Sequence, residues 1–225
     1  MTPNATTTDW SLPYASHRSA VMGRNVVSTS HPLAAQAGLR MLLAGGNAVD
    51  AAIAAAMALT VVEPTGCGLG SDGFAIVWDG KELHGLNSSG VAPAAWNVEY
   101  FKRKYGVGAD GLAIQPKRGW DAVTVPGVVA GWSALHEKLG KLPFEQLFEP
   151  AIEIAERGYA VPPVVAHKWA AAAAELSGQP GYAQAFMPNG HAPAVGEHFR
   201  FKDAAFALRR IAESRGCDFY EGELA

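Results

Sequence analysis

Gly45–Asn87 reads GGNAVDAAIAAAMALTVVEPTGCGLGSDGFAIVWDGKELHGLN, and four consecutive pieces of it decide the fold. Gly45-Gly46 ends one helix, and the side-chain oxygen of Asn47 caps the next. The run Ala48–Val62 is alanine-rich and apolar all round, with Asp50 as its only charge, so it predicts a helix buried under a sheet. Glu63-Pro64 stops that helix, because proline cannot continue it. A glycine-dense turn follows, Gly66-Cys67-Gly68-Leu69-Gly70-Ser71-Asp72-Gly73, and then two short strands joined through Asp79-Gly80. The first strand, Phe74–Trp78, has apolar residues at every position and is expected to be central and covered on both faces.

Outward from this stretch the chain divides into a helix–strand unit and a helical covering. Residues 1–16 are expected to be a flexible tail, and 17–225 a single incomplete domain. Ser19–Ser30 is a strand candidate. Ser30 is expected to cap a helix with Pro32 in its first turn, running to about Ala44. Further helices are expected over 96–105, 128–139, 144–157, 163–176 and 202–215, with a short strand over 121–125 and a surface loop over 177–197. Phe219-Tyr220-Glu221-Gly222 resembles the opening of another element, so the chain is expected to be the front part of a longer one.

Composition removes several function classes. The chain has 225 residues, 49% of them hydrophobic, with a net charge of −3, which leaves no electrostatic footprint for nucleic acid. The basic run Lys102-Arg103-Lys104 is expected to be a solvated helix face. Mean hydropathy is +0.04; the apolar run 48–62 is too short for a membrane span and carries Asp50. With no signal peptide and only two cysteines, Cys67 and Cys217, a cytoplasmic location is expected.

Motifs that resemble catalytic signatures fail on inspection. Gly68–Gly73 matches G-x-G-x-x-G, but a dinucleotide site needs a strand before it and a helix after, and here the order is reversed. His136-Glu137-Lys138-Leu139 opens like a zinc-binding helix, yet Gly140 stands where the second histidine is needed. His191 and His198 fall in a polar loop and are expected to be exposed. No cofactor and no metal is implied. Asn87-Ser88-Ser89-Gly90 is different, because a strand delivers short hydrogen-bonding side chains and backbone N–H groups to one loop. Such a loop suits recognition of a small polar substrate, although an ordinary Ser/Gly turn has the same composition.

Ser30-His31-Pro32-Leu33-Ala34, Gly45–Ala52, Val62-Glu63-Pro64 and the glycine turn together resemble the γ-glutamyltransferase (γ-glutamyltranspeptidase) family. Thr124-Val125-Pro126-Gly127, Phe148–Ile152 and Phe219–Gly222 fall where the large subunit of that family has similar strings. The resemblance implies an α/β (α+β) N-terminal-nucleophile hydrolase, an αββα sandwich of which this chain holds only the large-subunit portion. It also implies a precursor that cleaves itself before a threonine. That threonine then acts as nucleophile with its own α-amine as base, and forms an acyl-enzyme from an amide. The threonines of this chain do not sit in the family's processing motif, so the nucleophile is expected in a missing C-terminal part, the small subunit, and this chain alone is expected to be inactive. The implied substrate is a γ-glutamyl compound or a related small amide.

One departure bears on substrate. The family's D-x-R-E-x-A-P pattern, whose arginine pairs with the substrate α-carboxylate, is here Asn87-Ser88-Ser89-Gly90-Val91-Ala92-Pro93, with Ser89 in the arginine's place. A charge-assisted pair contributes about 1.5–3 kcal/mol, so its loss weakens glutamyl binding about ten- to a hundredfold. Three readings follow: a γ-glutamyl enzyme whose carboxylate partner comes from elsewhere, Arg118 being a candidate; an acylase or amidohydrolase of the oxamate type; or an inactive structural module.

Overall fold

The computed structural model describes residues 21–225. The expected tail, residues 1–16, and the start of the strand candidate at Ser19 lie outside the described residues. Over 21–30 no strand forms. Helix α1 (Pro32–Leu43) is capped by His31 rather than Ser30: the His31 imidazole Nδ1 accepts the Leu33 N–H at 3.2 Å. The Ser30 hydroxyl instead donates to Glu63 at 2.9 Å, at the far end of the next helix.

The turn into that helix, α2 (Ala48–Val62), follows the expected logic closely. Gly45 takes φ +90°, a conformation that side-chain-bearing residues resist. Asn47 Oδ1 accepts the Val49 and Asp50 N–H groups, while Asp50 Oδ2 accepts the Asn47 N–H at 2.9 Å, a reciprocal capping box. Asp50 is fully buried and also accepts the Lys141 and Leu142 N–H groups at 3.0 and 3.2 Å, which pins a distant loop to the helix start.

Helix α2 is the hub of the fold. It packs against α1, α4 (Val128–Leu139), α5 (Glu149–Arg157) and the 3-10 turn Phe144–Phe148. Its neighbours are thus mainly helices, not the sheet expected from its apolar surface. Ile53, Met57, Val61 and Val62 reach zero or near-zero exposure beside Phe144, Leu147 and Phe148. Each such buried side chain contributes about 1.5–3 kcal/mol of transfer free energy. The Tyr159 hydroxyl donates toward the last carbonyls of α2, Val61 and Val62, at 3.2 and 3.3 Å, groups that a helix end otherwise leaves unpaired.

Strands β1 (Gly73–Trp78) and β2 (Leu83–Ser88) form an antiparallel hairpin, with Trp78 opposite Leu83 and Gly73 opposite Ser88. Four residues close it. Only Gly80 has positive φ, +99°, and Asp79 Oδ1 accepts the Lys81 and Glu82 N–H groups, so an Asp side chain replaces the two-residue turn expected from Asp79-Gly80. The hairpin rests on α4 through Ala75, Val77 and Leu86. Its other face carries Phe74, Ile76, Trp78 and Leu83, between 63% and 80% exposed. The expected two-sided cover for β1 is therefore corrected: among the described residues β1 pairs only with β2, and one face is open. A run of consecutive apolar residues does not say which part of a protein covers its second face.

The second half is helical, as expected, with differences in detail. The span 144–157 divides into a 3-10 turn and α5, and 121–125 contains the 3-10 turn Trp120–Ala122 instead of a strand. After α5 come β3 (Tyr159–Ala160), α6 (Pro163–Leu176), α7 (Tyr182–Phe186) inside the expected loop, and β4 (His198–Phe199), which pairs with β3. Helix α8 (Lys202–Ser214) buries Ala205, Leu208, Ile211 and Ala212, and α9 (Cys217–Glu221) follows. Between the hairpin and α4 lies α3 (Val98–Tyr105), expected from residue 96 and begun by an Asn97 cap. No helix among the described residues is long and apolar enough to cross a membrane.

His31 gives the fold a pH dependence. Burial lowers its pKa from 6.5, and the charge of Glu63 opposes the shift only in part. The unfolded chain therefore takes up a proton first. Stability from this group is complete above pH 6.5 and declines as pH falls toward the lowered folded-state value. Urea midpoints measured from pH 7.5 down to 5.5 should fall, and His31→Gln should flatten that slope; a slope unchanged in the variant would refute the assignment.

Candidate functional site

The loop that leaves β2 meets the segment that enters α4. Val125 donates its N–H to the Val91 carbonyl at 2.9 Å, and the Ser88 hydroxyl donates to the Gly127 carbonyl at 2.5 Å. The two backbones touch. A Cβ at Gly127 would lie 2.1 Å from the Ser88 carbonyl oxygen, and one at Gly90 would lie 1.9 Å from that of Val125. Gly90 also holds φ +77°, so glycine is required there on both counts. From the other side the glycine turn reaches in, with the Ser71 carbonyl accepting the Val128 N–H at 2.9 Å.

The three candidate residues separate here. Strand alternation turns Ser88 inward onto α4, where its hydroxyl is committed to Gly127. Asn87 lies on the open face of the hairpin with Phe74 opposite, and its Oδ1 accepts the Ser89 N–H at 3.0 Å, shaping the loop. Ser89 is half-buried at the loop tip. Its hydroxyl has only a 3.5 Å contact with the Gly90 carbonyl, so it keeps donor and acceptor capacity, as does the amide of Asn87, whose nitrogen has no partner among the described residues. The sequence pattern groups all three; the geometry leaves Asn87 and Ser89 with unspent polar groups and commits Ser88 to the Gly127 carbonyl.

Arg118 lies in another part of the surface network. It pairs with Glu175 at 2.8 Å, and both side chains are about half exposed. No arginine or lysine side chain among the described residues hydrogen-bonds to residues 87–91. Among the threonines, the Thr60 hydroxyl is buried and donates to the Met57 carbonyl, and Thr124 makes a 3.5 Å contact with the Ser89 carbonyl. Neither has the setting of an activated nucleophile.

Other ionisable groups are accounted for locally. The glycine turn holds Cys67, whose thiol is pushed up to about 11 by burial, reinforced by the charge of Glu63, and is a poor nucleophile. His136 is buried in the core, with Nε2 on the Leu142 carbonyl at 2.7 Å. His191 and His198 are exposed. Asp79, Glu82 and His84 bring three possible ligand atoms within 4.8 Å of one another. They sit at the turn end of the hairpin, about 15 Å along the strand from Ser88, and Asp79 already serves His84 and the turn N–H groups. Within the run 102–104, Lys102 pairs with Glu99 at the surface, whereas Lys104 pairs with Asp121, a largely covered carboxylate that also accepts from the Tyr100 and Tyr105 hydroxyls, so the expected solvated face holds only in part.

Residues 34–225 match the family model described as gamma-glutamyltranspeptidase. This chain belongs to that family. The acylase ACY 1 proenzyme of Pseudomonas sp. strain SE83 is 35% identical over 206 residues, 89% of this chain and 37% of the relative. The oxamate amidohydrolase proenzyme of Klebsiella pneumoniae is 36% identical over 217 residues, 93% of this chain and 39% of the relative. Among solved structures, the cephalosporin acylase of Bacillus halodurans superposes with a TM-score of 0.85 and 44% identity over 97% of this chain and 41% of that one. The chain thus spans about two fifths of the length of these family members. Its fold is that of the corresponding part of the N-terminal-nucleophile hydrolases in the family. The hairpin, the GGNAVDAA capping turn, the glycine turn and the Val125-Pro126-Gly127 crossing all lie within the matched residues.

Proposed function

We propose that this chain is the large-subunit portion of an amide hydrolase or acyltransferase of the γ-glutamyltranspeptidase family, and that its substrate is bound in part by Asn87 and Ser89. In this reading a threonine outside these 225 residues attacks the amide carbonyl. Its α-amine accepts the hydroxyl proton and passes it to the leaving amine; the acyl-enzyme is then released to water or to an acceptor amine. The part of the protein carrying that threonine would cover the apolar row Phe74, Ile76, Trp78 and Leu83, completing a second layer over the hairpin.

The observation that carries the substrate reading is the uncharged loop tip. Ser89 offers one hydroxyl where a γ-glutamyl enzyme would present a guanidinium, and the arginine considered for that role, Arg118, is engaged with Glu175. An amide whose acyl group carries no charge therefore fits this loop tip better than a γ-glutamyl compound, in keeping with the acylase relative. In the full-length protein we expect one precursor to yield two fragments on denaturing electrophoresis. The matured enzyme should turn over γ-glutamyl-p-nitroanilide at least tenfold less efficiently than an uncharged acyl amide. A single unprocessed band would overturn the enzymatic reading; preference for the γ-glutamyl substrate would overturn the substrate class.

A further inference from the structure

Helix α4 begins without a local cap. Gly127 offers no side chain, and the N–H groups of its first turn must find partners elsewhere. One partner is the Ser71 carbonyl, which takes Val128. The other comes from the far end of the chain: the Tyr220 hydroxyl accepts the Ala130 N–H at 3.0 Å and donates to the Pro126 carbonyl at 2.8 Å. One phenol thus uses its donor and an acceptor lone pair to join the first turn of α4 to the segment immediately before it. That segment is the one whose Val125 and Gly127 backbone presses on Ser88, Gly90 and Val91, the residues on either side of Ser89, while Thr124 makes a 3.5 Å contact with the Ser89 carbonyl.

Tyr220 is itself held in place. The elbow between α8 and α9 turns through Arg215 at φ +52° and Gly216 at φ +93°. The Ser133 hydroxyl of α4 donates to the Arg215 carbonyl at 2.8 Å, and Gly216 sits so close that an added Cβ would approach Ser133 Oγ at 3.1 Å and Val129 at 3.2 Å. Arg210 pairs with Asp218 and secures the start of α9. Local chain geometry alone cannot explain the phenol's place, since Tyr220 is 94 residues from Pro126 and 90 from Ala130 in sequence.

We infer that Tyr220 is a positioning residue for the candidate substrate loop 87–91: its hydroxyl fixes the Pro126 carbonyl against the first turn of α4, and through Val125 and Gly127 sets the height of Ser89. The inference rests on the site assignment made above. It acts through backbone contact, so its signature is loosening of one loop rather than of the whole fold.

The test is Tyr220→Phe in the full-length protein, which keeps the ring and removes both hydrogen bonds. Hydrogen exchange read by mass spectrometry should quicken about tenfold in peptides covering 87–91 and 125–130, the equivalent of one net hydrogen bond. Peptides from α1 and α2 should not change. With γ-glutamyl-p-nitroanilide or oxamate, whichever is turned over, KM should rise about tenfold while kcat stays within twofold, because a merely structural loss lowers the active fraction and leaves KM alone. Unchanged exchange in 87–91, or an increase spread evenly over the chain, overturns the inference whether or not either probe reacts. Where Tyr220→Phe fails to mature, Ser133→Ala loosens the same elbow by one exposed bond, and the same two peptides must respond. Ser89→Ala keeps the two ideas apart. If KM is unchanged in Ser89→Ala yet exchange quickens as expected in Tyr220→Phe, the site assignment falls and with it the positioning role. If KM rises in Ser89→Ala but exchange in 87–91 does not respond to Tyr220→Phe, only the role of Tyr220 falls.

Discussion

Asp50→Ala should lower stability by about 3–5 kcal/mol. The carboxylate has no exposed surface and accepts three backbone N–H groups, from Asn47, Lys141 and Leu142. Alanine leaves all three without their partner, at about 1–3 kcal/mol for each that stays buried. The damage is not local. Asn47 begins α2, on which α1, α4 and α5 pack, while Lys141 and Leu142 lead from α4 into the buried 3-10 turn. Native domains have about 5–15 kcal/mol in total, so this one change consumes a large share. Urea unfolding followed through the buried Trp132 and Trp169 should show the midpoint shift. Asp50→Asn, which keeps one acceptor oxygen, should lie between wild type and Asp50→Ala. A loss below about 1 kcal/mol in Asp50→Ala would mean that water replaces the carboxylate and that the capping box is not the keystone of the turn.

The residues that were legible in the sequence are those whose signal is local. Gly45, Asn47 and Pro64 mark the start and stop of α2 through φ, capping and the missing proline N–H, and all three act as their types suggest, whereas the reciprocal cap from Asp50 emerges only in the fold. Gly158 ends α5 at φ +85°, while Gly140 ends α4 at an ordinary φ, where a Cβ would lie 2.3 Å from the His136 ring. What was not legible depends on partners far along the chain. His31 displaces Ser30 as the cap because Glu63 draws the serine hydroxyl away. Strand β1 looks two-sided because Phe74, Ile76 and Trp78 are as apolar as Ala75 and Val77, and only the fold shows which row has a helix beneath it.

The candidate site shows the same division. The composition of Asn87-Ser88-Ser89 flags the loop but cannot rank its members, since the carbonyl that takes up the Ser88 hydroxyl belongs to Gly127, 39 residues away. Tyr220 carries no warning in its immediate neighbours, because both of its partners lie on the other side of five intervening helices and turns. A motif such as Phe219-Tyr220-Glu221-Gly222 helps to mark a family without saying what its tyrosine touches.

Ser89→Arg should improve γ-glutamyl-p-nitroanilide turnover by the matured full-length enzyme about tenfold in kcat/KM, mainly through KM. Position 89 is half-buried at a loop tip, has ordinary backbone geometry, and spends its hydroxyl on nothing closer than 3.5 Å, so a longer side chain displaces no strong bond. A guanidinium there supplies the bidentate carboxylate partner the loop lacks. The gain belongs at the low end of the ten- to hundredfold range for such a pair, because the neighbouring residue cannot follow. Gly90→Glu would drive a Cβ to 1.9 Å from the Val125 carbonyl at φ +77°, so the arginine–glutamate pair of the wider family cannot be rebuilt on this backbone. Turnover of an uncharged acyl amide should not gain, and the improvement should shrink as salt screens the new charge. Arg118→Ala should leave γ-glutamyl turnover unchanged, since Arg118 is tied to Glu175. If instead Arg118→Ala abolished that turnover and Ser89→Arg added nothing, the carboxylate would be read by Arg118 after a rearrangement, and the uncharged loop tip would not be what sets the substrate.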